Sequence, residues 1–154
     1  MATRHVSLAE TEATDGALDT LVGYNLKRAY VILRNDFRST LGEDGFGPRA
    51  FSALSLIVEF PNLSQSELAR RLGIERSGLV AIVDELEARG FLQRNPVPGD
   101  RRVQALSATR AGRAAFARAQ AAVLDHEDRL LSDLSAQERE TLIELLRRIR
   151  RREG

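Results

Sequence analysis

Ser64-Gln65-Ser66-Glu67-Leu68-Ala69-Arg70-Arg71-Leu72-Gly73-Ile74 reads as a short helix with both ends marked. Ser64 can cap it, and Glu67 three residues on completes a capping box that satisfies backbone donors otherwise left orphaned. Gly73 stands where a left-handed residue closes a helix, and Ile74 opens the turn. A second helix is predicted from about Glu75 to Ala88, with Leu79, Ile82, Val83 and Leu86 at core spacing. Gly90 follows, then Phe91-Leu92-Gln93-Arg94, a Pro/Gly tip over residues 95–100, and Arg101-Arg102-Val103-Gln104-Ala105-Leu106. Residues 63–112 therefore predict two short helices, a two-stranded hairpin with an arginine-bearing tip, and the start of another helix. That order is a winged helix-turn-helix, an arrangement used chiefly to hold DNA.

The flanks read as helices. Residues 1–14 are polar and are read as a flexible arm. From Asp15, a plausible cap, Leu18, Leu21, Val22, Leu26, Ala29, Ile32, Leu33 and Phe37 recur at the spacing of one long helix. Residues 42–47 hold three glycines and predict a loop. Pro48 suits the first turn of a helix carrying Phe51, Leu54, Ile57 and Val58, which Pro61 ends. An alanine-rich helix should run from Thr109 to about Leu131, close enough to its neighbours for tight packing. Ser135-Ala136-Gln137-Glu138 is a second capping box, opening a last helix with Leu142, Leu145, Leu146 and Ile149 on one side. The predicted fold is mainly α with a small β-hairpin wing, forming one domain over 15–154. Within it the winged part spans about 48–108, flanked by N- and C-terminal dimerisation helices at about 15–41 and 109–152.

Composition narrows the function. A chain of 154 residues with 43% hydrophobic and 29% charged residues fits one soluble domain. A net charge of +1 argues against a globally basic coat, so any nucleic-acid contact must come from a local face. The absence of cysteine removes disulfides, thiolate metal sites and thiol redox sensing. His5 and His126 are the only histidines, too few for a nitrogen-rich zinc site, and neither metal nor cofactor is expected. No glycine-rich phosphate loop and no supported serine-histidine-acid grouping appear, so the chain is not read as an enzyme. His126, beside Asp125, Glu127 and Asp128, reads as a helix-face residue. No apolar run approaches the roughly 20 residues of a membrane span and no signal-peptide core is present, so a cytoplasmic protein with no membrane partner is expected.

The string from Leu68 to Gly112 resembles the MarR family of bacterial transcription regulators. The pieces that match are Leu86-Glu87-Ala88-Arg89-Gly90-Phe91-Leu92-Gln93-Arg94, Gly99-Asp100-Arg101-Arg102 and Leu106-Ser107-Ala108-Thr109-Arg110-Ala111-Gly112. The resemblance implies a homodimer on double-stranded DNA, most simply a repressor on a palindromic operator, released by a small aromatic acid or its coenzyme A thioester. An activator of the same family, or a winged protein-interaction module that has given up DNA, are the alternative readings.

Candidate DNA contacts follow from the same comparison. At the start of the recognition helix they are Arg76, Ser77, Gly78, Val80 and Ala81. Arg76 suits a guanine or a phosphate, while Val80 and Ala81 offer only apolar contacts, for instance to a thymine methyl. The helix is thus poor in polar readers, and shape and the wing should carry much of the specificity. Arg101 and Arg102 are the wing candidates, with Arg102 entering the minor groove and Asp100 pairing with an arginine to fix the wing. Gln65, Ser66 and Arg70 or Arg71 are candidate phosphate contacts. Tyr24-Asn25-Leu26-Lys27-Arg28-Ala29 is similar to the first helix of members that sense aromatic acids or their thioesters, and Tyr24, Arg28, Phe46, Arg49 and Phe60 are the candidate ligand residues. The competing reading makes the aromatic residues core and the basic ones solvated helix face. The run Arg147-Arg148-Ile149-Arg150-Arg151-Arg152 is read as stabilising its own helix end or pairing with acidic residues across a dimer, with phosphate contact as the third reading.

Overall fold

The computed structural model describes residues 16–41 and 47–151. The arm at 1–14, the expected cap Asp15, the loop residues 42–46 and Arg152 lie outside them. A 3-10 turn, Gly16–Thr20, precedes α1 (Val22–Leu41), and α2 (Pro48–Glu59), β1 (Leu63–Ser64), α3 (Gln65–Leu72) and α4 (Arg76–Ala88) follow. The chain continues as β2 (Leu92–Val97), β3 (Asp100–Ala108), α5 (Arg110–Leu130) and α6 (Ala136–Arg150). This is the winged helix-turn-helix with long helices before and after it.

Local chemistry explains most of the boundaries. Ser64 Oγ accepts from the Glu67 N–H at 3.1 Å, as a cap should. The expected box is only half formed, because the Glu67 carboxylate turns away to pair with Arg70 and Arg71. Those two guanidiniums, Arg71 first, hold the Glu67 carboxyl below the usual carboxylate range. The second box is complete: the Ser135 N–H donates to Glu138 Oε2 at 2.8 Å and the Glu138 N–H to Ser135 Oγ at 3.3 Å. Gly73 adopts φ 63°, ψ 35° and closes α3 in the left-handed region, as its position predicts. Pro48 opens α2.

Three expectations are corrected. The first helix does not run unbroken from residue 15: it is interrupted at Leu21, where the Asn25 side-chain amide donates to the carbonyls of Asp19 and Leu21. Such a side-chain bond competes with the helical ladder. The sheet extends beyond the expected two-stranded hairpin, which β2 and β3 form: β1 adds a third strand in the order β1-β3-β2, with Leu63 paired to Leu106 and Ser64 to Ala105. The wing tip is narrower than 95–100. Asn95 lies within β2 opposite Ala105, its amide donating to Ser107 Oγ at 2.7 Å, and the chain reverses at Pro98-Gly99 with Gly99 at φ +87°.

The core sits in the winged lobe. Leu54 and Ile57 of α2, Leu68 of α3, Leu79, Val83 and Leu86 of α4 and Leu106 of β3 are fully buried. Each such side chain contributes roughly 1.5–3 kcal/mol relative to exposure. α1 packs along α5, and an aromatic chain, Phe37 to Phe51 to Phe116, joins the lobe to that pair with centroids 5.6 and 5.5 Å apart. His126 is buried there rather than lying on a solvated face. Its Nδ1 pairs with Asp36 of α1 and its ring meets Phe37 edge-on at 6.3 Å, because α1 covers the side of α5 on which it lies.

Outside the lobe the apolar stripes stay open. Leu142, Ile143, Leu145 and Ile149 of α6 are 38 to 51% exposed, and Val22, Leu26 and Ile32 of α1 are exposed too. Arg139 ties the start of α6 to the end of α5, donating to Asp128 Oδ1 at 2.6 Å and to the Leu131 carbonyl at 2.9 Å. Among the described residues no helix is long and apolar enough to cross a membrane.

Candidate nucleic-acid interface

Burial of Leu79, Ile82, Val83 and Leu86 fixes the rotation of α4, so that Arg76, Ser77, Val80 and Ala81 face outward and Gly78 is half-buried. The Ser64 cap sets the start of α3, and the β2–β3 ladder sets the wing. Together they enclose a cleft of about 550 Å³ lined by Ser64, Gln65, Ser66, Arg76, Arg101, Arg102, Val103 and Gln104. Five of the candidate DNA contacts therefore meet in one concavity: Gln65, Ser66, Arg76, Arg101 and Arg102. Ser77, Gly78, Val80 and Ala81 continue along α4 beyond its lining. Glu75 makes no side-chain cap at the start of α4, which leaves first-turn amides there for a phosphate.

Gln104 was not among the candidates, although a signal existed. It follows Arg102 by two residues on a strand and so shares its face. Arg70 and Arg71, by contrast, lie toward the other end of α3 and do not line this cleft.

The wing is fixed differently from expectation. The Asp100 carboxylate accepts from the backbone N–H of Arg102 at 3.0 Å rather than holding an arginine side chain. A local bond of this kind suits a short acidic residue beside a tight turn. The arginine that does pair with acids is Arg94 of β2, which bridges Asp84 and Glu87 of α4. Sequence reasoning missed it because those residues lie ten and seven positions apart and meet only when β2 folds back along α4. Arg94→Met is expected to lower unfolding free energy by about 1–2 kcal/mol, discounted for the part-exposed carboxylates. It should weaken DNA binding several-fold while leaving the slope of affinity against salt unchanged, since the Arg94 guanidinium is engaged by the two α4 carboxylates and acts by positioning the wing. Anisotropy titrations at several salt concentrations read both quantities.

Among the described residues the candidate ligand residues do not form one pocket. Arg28 Nη1 donates to Tyr24 Oη at 3.0 Å, with its guanidinium 5.8 Å from the ring centroid. Arg49 lines a separate cleft of about 430 Å³ with Tyr30, Arg34, Arg38, Gly47 and Pro48. Phe60 lies at the opposite end of α2, its ring 4.2 Å beneath the Arg71 guanidinium. Phe46 lies outside the described residues. Arg34 and Arg38 were overlooked, though Tyr30, Arg34 and Arg38 recur every four residues and so share one helix face.

Known proteins resemble the chain over most of its length. It is 34% identical over 144 residues, 93% of this chain and 87% of the relative, to a transcriptional regulatory protein for the hcr operon of Thauera aromatica. The fold matches that of the transcriptional repressor CouR bound to a 23-mer DNA duplex, with a TM-score of 0.84 and 40% identity over 90% of this chain and 99% of that one. It also matches CouR bound to p-coumaroyl-CoA, with a TM-score of 0.80 and 38% identity over 91% and 99% of the two chains. The sequence model of the MarR family matches residues 44–103, which hold α2, the helix-turn-helix and the arginines of the wing. With the reading cleft assembled and these likenesses covering nearly the whole chain, the protein belongs to the MarR family of transcriptional regulators and is not an enzyme.

Proposed function

We propose that the chain is a homodimeric repressor that occupies a palindromic operator in the cytoplasm and leaves it when an aromatic acid, or its coenzyme A thioester, binds. The observation that carries this reading is the single cleft in which Arg76, Arg101 and Arg102 converge with the N-terminus of α3, in a chain 40% identical to a repressor bound to duplex DNA. Phosphates would lie along Gln65, Ser66 and the uncapped start of α4. Arg76 and Ser77 would reach base edges, with Val80 and Ala81 against thymine methyls.

Dimerisation is supported by the groove of about 640 Å³ between the first and last helices, lined by Val22, Leu26, Leu142, Leu145, Leu146 and Ile149. A partner's helices would cover it. Two-fold symmetry would then set the reading helices about 34–36 Å apart, one turn of DNA. For the effector, the cleft of Tyr30, Arg34, Arg38 and Arg49 offers one aromatic ring and three guanidiniums, a match for an aromatic carboxylate or a phosphorylated thioester. Tyr24 and Arg28 lie within two turns before Tyr30 on the same helix. Release is bounded by the effector's preference for the dimer geometry that does not fit DNA.

The test is anisotropy of labelled DNA from upstream of the protein's own gene, at two salt concentrations, with p-coumaroyl-CoA and p-coumarate as releasing agents. Salt-sensitive binding that unrelated DNA does not displace upholds the regulator, and release by either compound upholds the effector. Failure of both compounds sinks only the effector. Arg102→Ala should cost about 1–3 kcal/mol, roughly 5- to 150-fold in affinity, with the largest loss on operators carrying A·T-rich flanks. An equal loss on every sequence would make Arg102 a phosphate contact instead.

A further inference from the structure

The arginine run that closes the chain does not point at the reading cleft. Arg147, Arg150 and Arg151 of α6 meet Arg70 and Arg71 of α3 around a separate concavity of about 640 Å³, with Gly73 at its edge. Among the described residues the five guanidiniums there have two carboxylate partners between them. Glu67 serves Arg70 and Arg71, and Glu144 lies 3.9 Å from Arg151. Among the described residues Arg147 and Arg150 have no ion-pair partner, and all five arginines are exposed. These residues come from segments more than seventy positions apart, so the excess positive charge is assembled by the fold and is not a local accident of a basic tail.

We propose that this concavity binds a small anion carrying several linked phosphates. Guanidinium forks match phosphate oxygens two at a time, and several arginines around one hollow suit phosphate groups held close together. The volume lies in the range of small-molecule sites. Duplex DNA fits it less well, because each strand presents its phosphates as an extended row, about one per 3.4 Å of axis, rather than as a compact group. The site is also set apart from the reading cleft: Ser64–Ser66 lie at one end of α3 and Arg70–Gly73 at the other, at least about 6 Å along the helix, and the two clefts share no lining residue. An anion here would bridge α6 to the helix that leads through Gly73 into α4. The site thus goes beyond the proposed aromatic effector, whose cleft is lined by Tyr30, Arg34, Arg38 and Arg49.

Calorimetry on the full chain with tripolyphosphate and with ATP, both free of metal, tests the assignment at physiological salt. Saturable binding of one anion per protomer is expected. Equal affinities assign the site to the phosphate chain alone, and tighter ATP assigns it to a nucleotide; either upholds the proposal. Arg147→Gln with Arg150→Gln should weaken binding by at least about tenfold, through the loss of charge-assisted hydrogen bonds. Arg70→Gln should weaken it independently from the other wall. Three results overturn the proposal: no saturable heat, unchanged binding in both variants, or the same response to sulfate at matched ionic strength. A fourth does so as well. If the α6 variant binds the probes normally but loses operator affinity and salt slope, the arginines form a DNA rail.

Discussion

If α6 forms the seam of the proposed dimer, a chain carrying Leu142→Asp and Leu145→Asp should run as a monomer and bind DNA about 10²–10⁴-fold more weakly, the factor that a second linked half-site supplies. Both leucines lie on α6 and line the apolar groove between the first and last helices. They are exposed in the single chain, where Arg139 ties the start of α6 to the end of α5 and leaves the apolar side of the helix open. Leu142 and Leu145 are 38% and 47% exposed, so each one covered by a partner would contribute roughly 0.5–1.5 kcal/mol, and two-fold symmetry counts each substitution twice. An aspartate in its place would lose that burial and strand a charge in an apolar seam. The winged lobe has its own core, built from α2, α3, α4 and β3, so the variant should keep its helical spectrum and bind DNA weakly through one cleft. Sedimentation beside anisotropy checks the outcome. A variant that stays dimeric with full affinity would show that the dimer seam lies elsewhere.

How far the sequence could be read depended on whether a signal was local. Gly73, Pro48, Thr109 and the Ser135–Glu138 box act within a few residues of themselves, and the structure bears each of them out. The core stripe of α4 was equally plain, because burial of Leu79, Ile82, Val83 and Leu86 follows from period alone. What failed was competition between side chains. Ser64 and Glu67 spell a capping box, yet two arginines one turn away outbid the Ser64 N–H for the Glu67 carboxylate. Asn25 looked like any helical polar residue until its amide took two carbonyls and broke the helix before α1.

The site divided along the same line. Arg76, Arg101 and Arg102 were visible as charges on a recognisable frame, and the fold brings them together with Gln65 and Ser66. Arg94, His126 and the meeting of Arg70 with Arg150 were not visible, because each depends on where a distant element comes to rest. The candidate ligand set shows the cost of grouping residues by chemistry alone. Arg49 lies in the first turn of α2 and Phe60 caps its far end, and the two share no cleft.

Gly112→Ala is expected to destabilise the fold by about 2–4 kcal/mol, although alanine is the better helix former by about 1 kcal/mol. Gly112 lies in the first turn of α5, where a Cβ would stand 1.9 Å from the Phe91 carbonyl oxygen and 2.8 Å from its carbon. Both are backbone atoms, so no rotamer relieves the clash and α5 must move away by more than an ångström. That corner is already committed. The Thr109 N–H donates to the same Phe91 oxygen at 3.1 Å, Thr109 Oγ1 donates to the Gly90 carbonyl at 2.6 Å, and the Gly112 N–H donates to Thr109 Oγ1 at 3.0 Å. Shifting α5 strains all three bonds, each worth about 1 kcal/mol. It would also tilt the helix that links the winged lobe to α1. For a domain of this size the loss corresponds to a fall in Tm of roughly 5–15 °C. Gly78→Ala is the internal control: a Cβ there meets nothing within 4 Å in the middle of α4's first turns, so Tm should hold or rise slightly. Thermal unfolding of the two variants side by side decides the matter, and a Gly112→Ala protein as stable as the parent would mean that α5 does not approach Phe91 this closely.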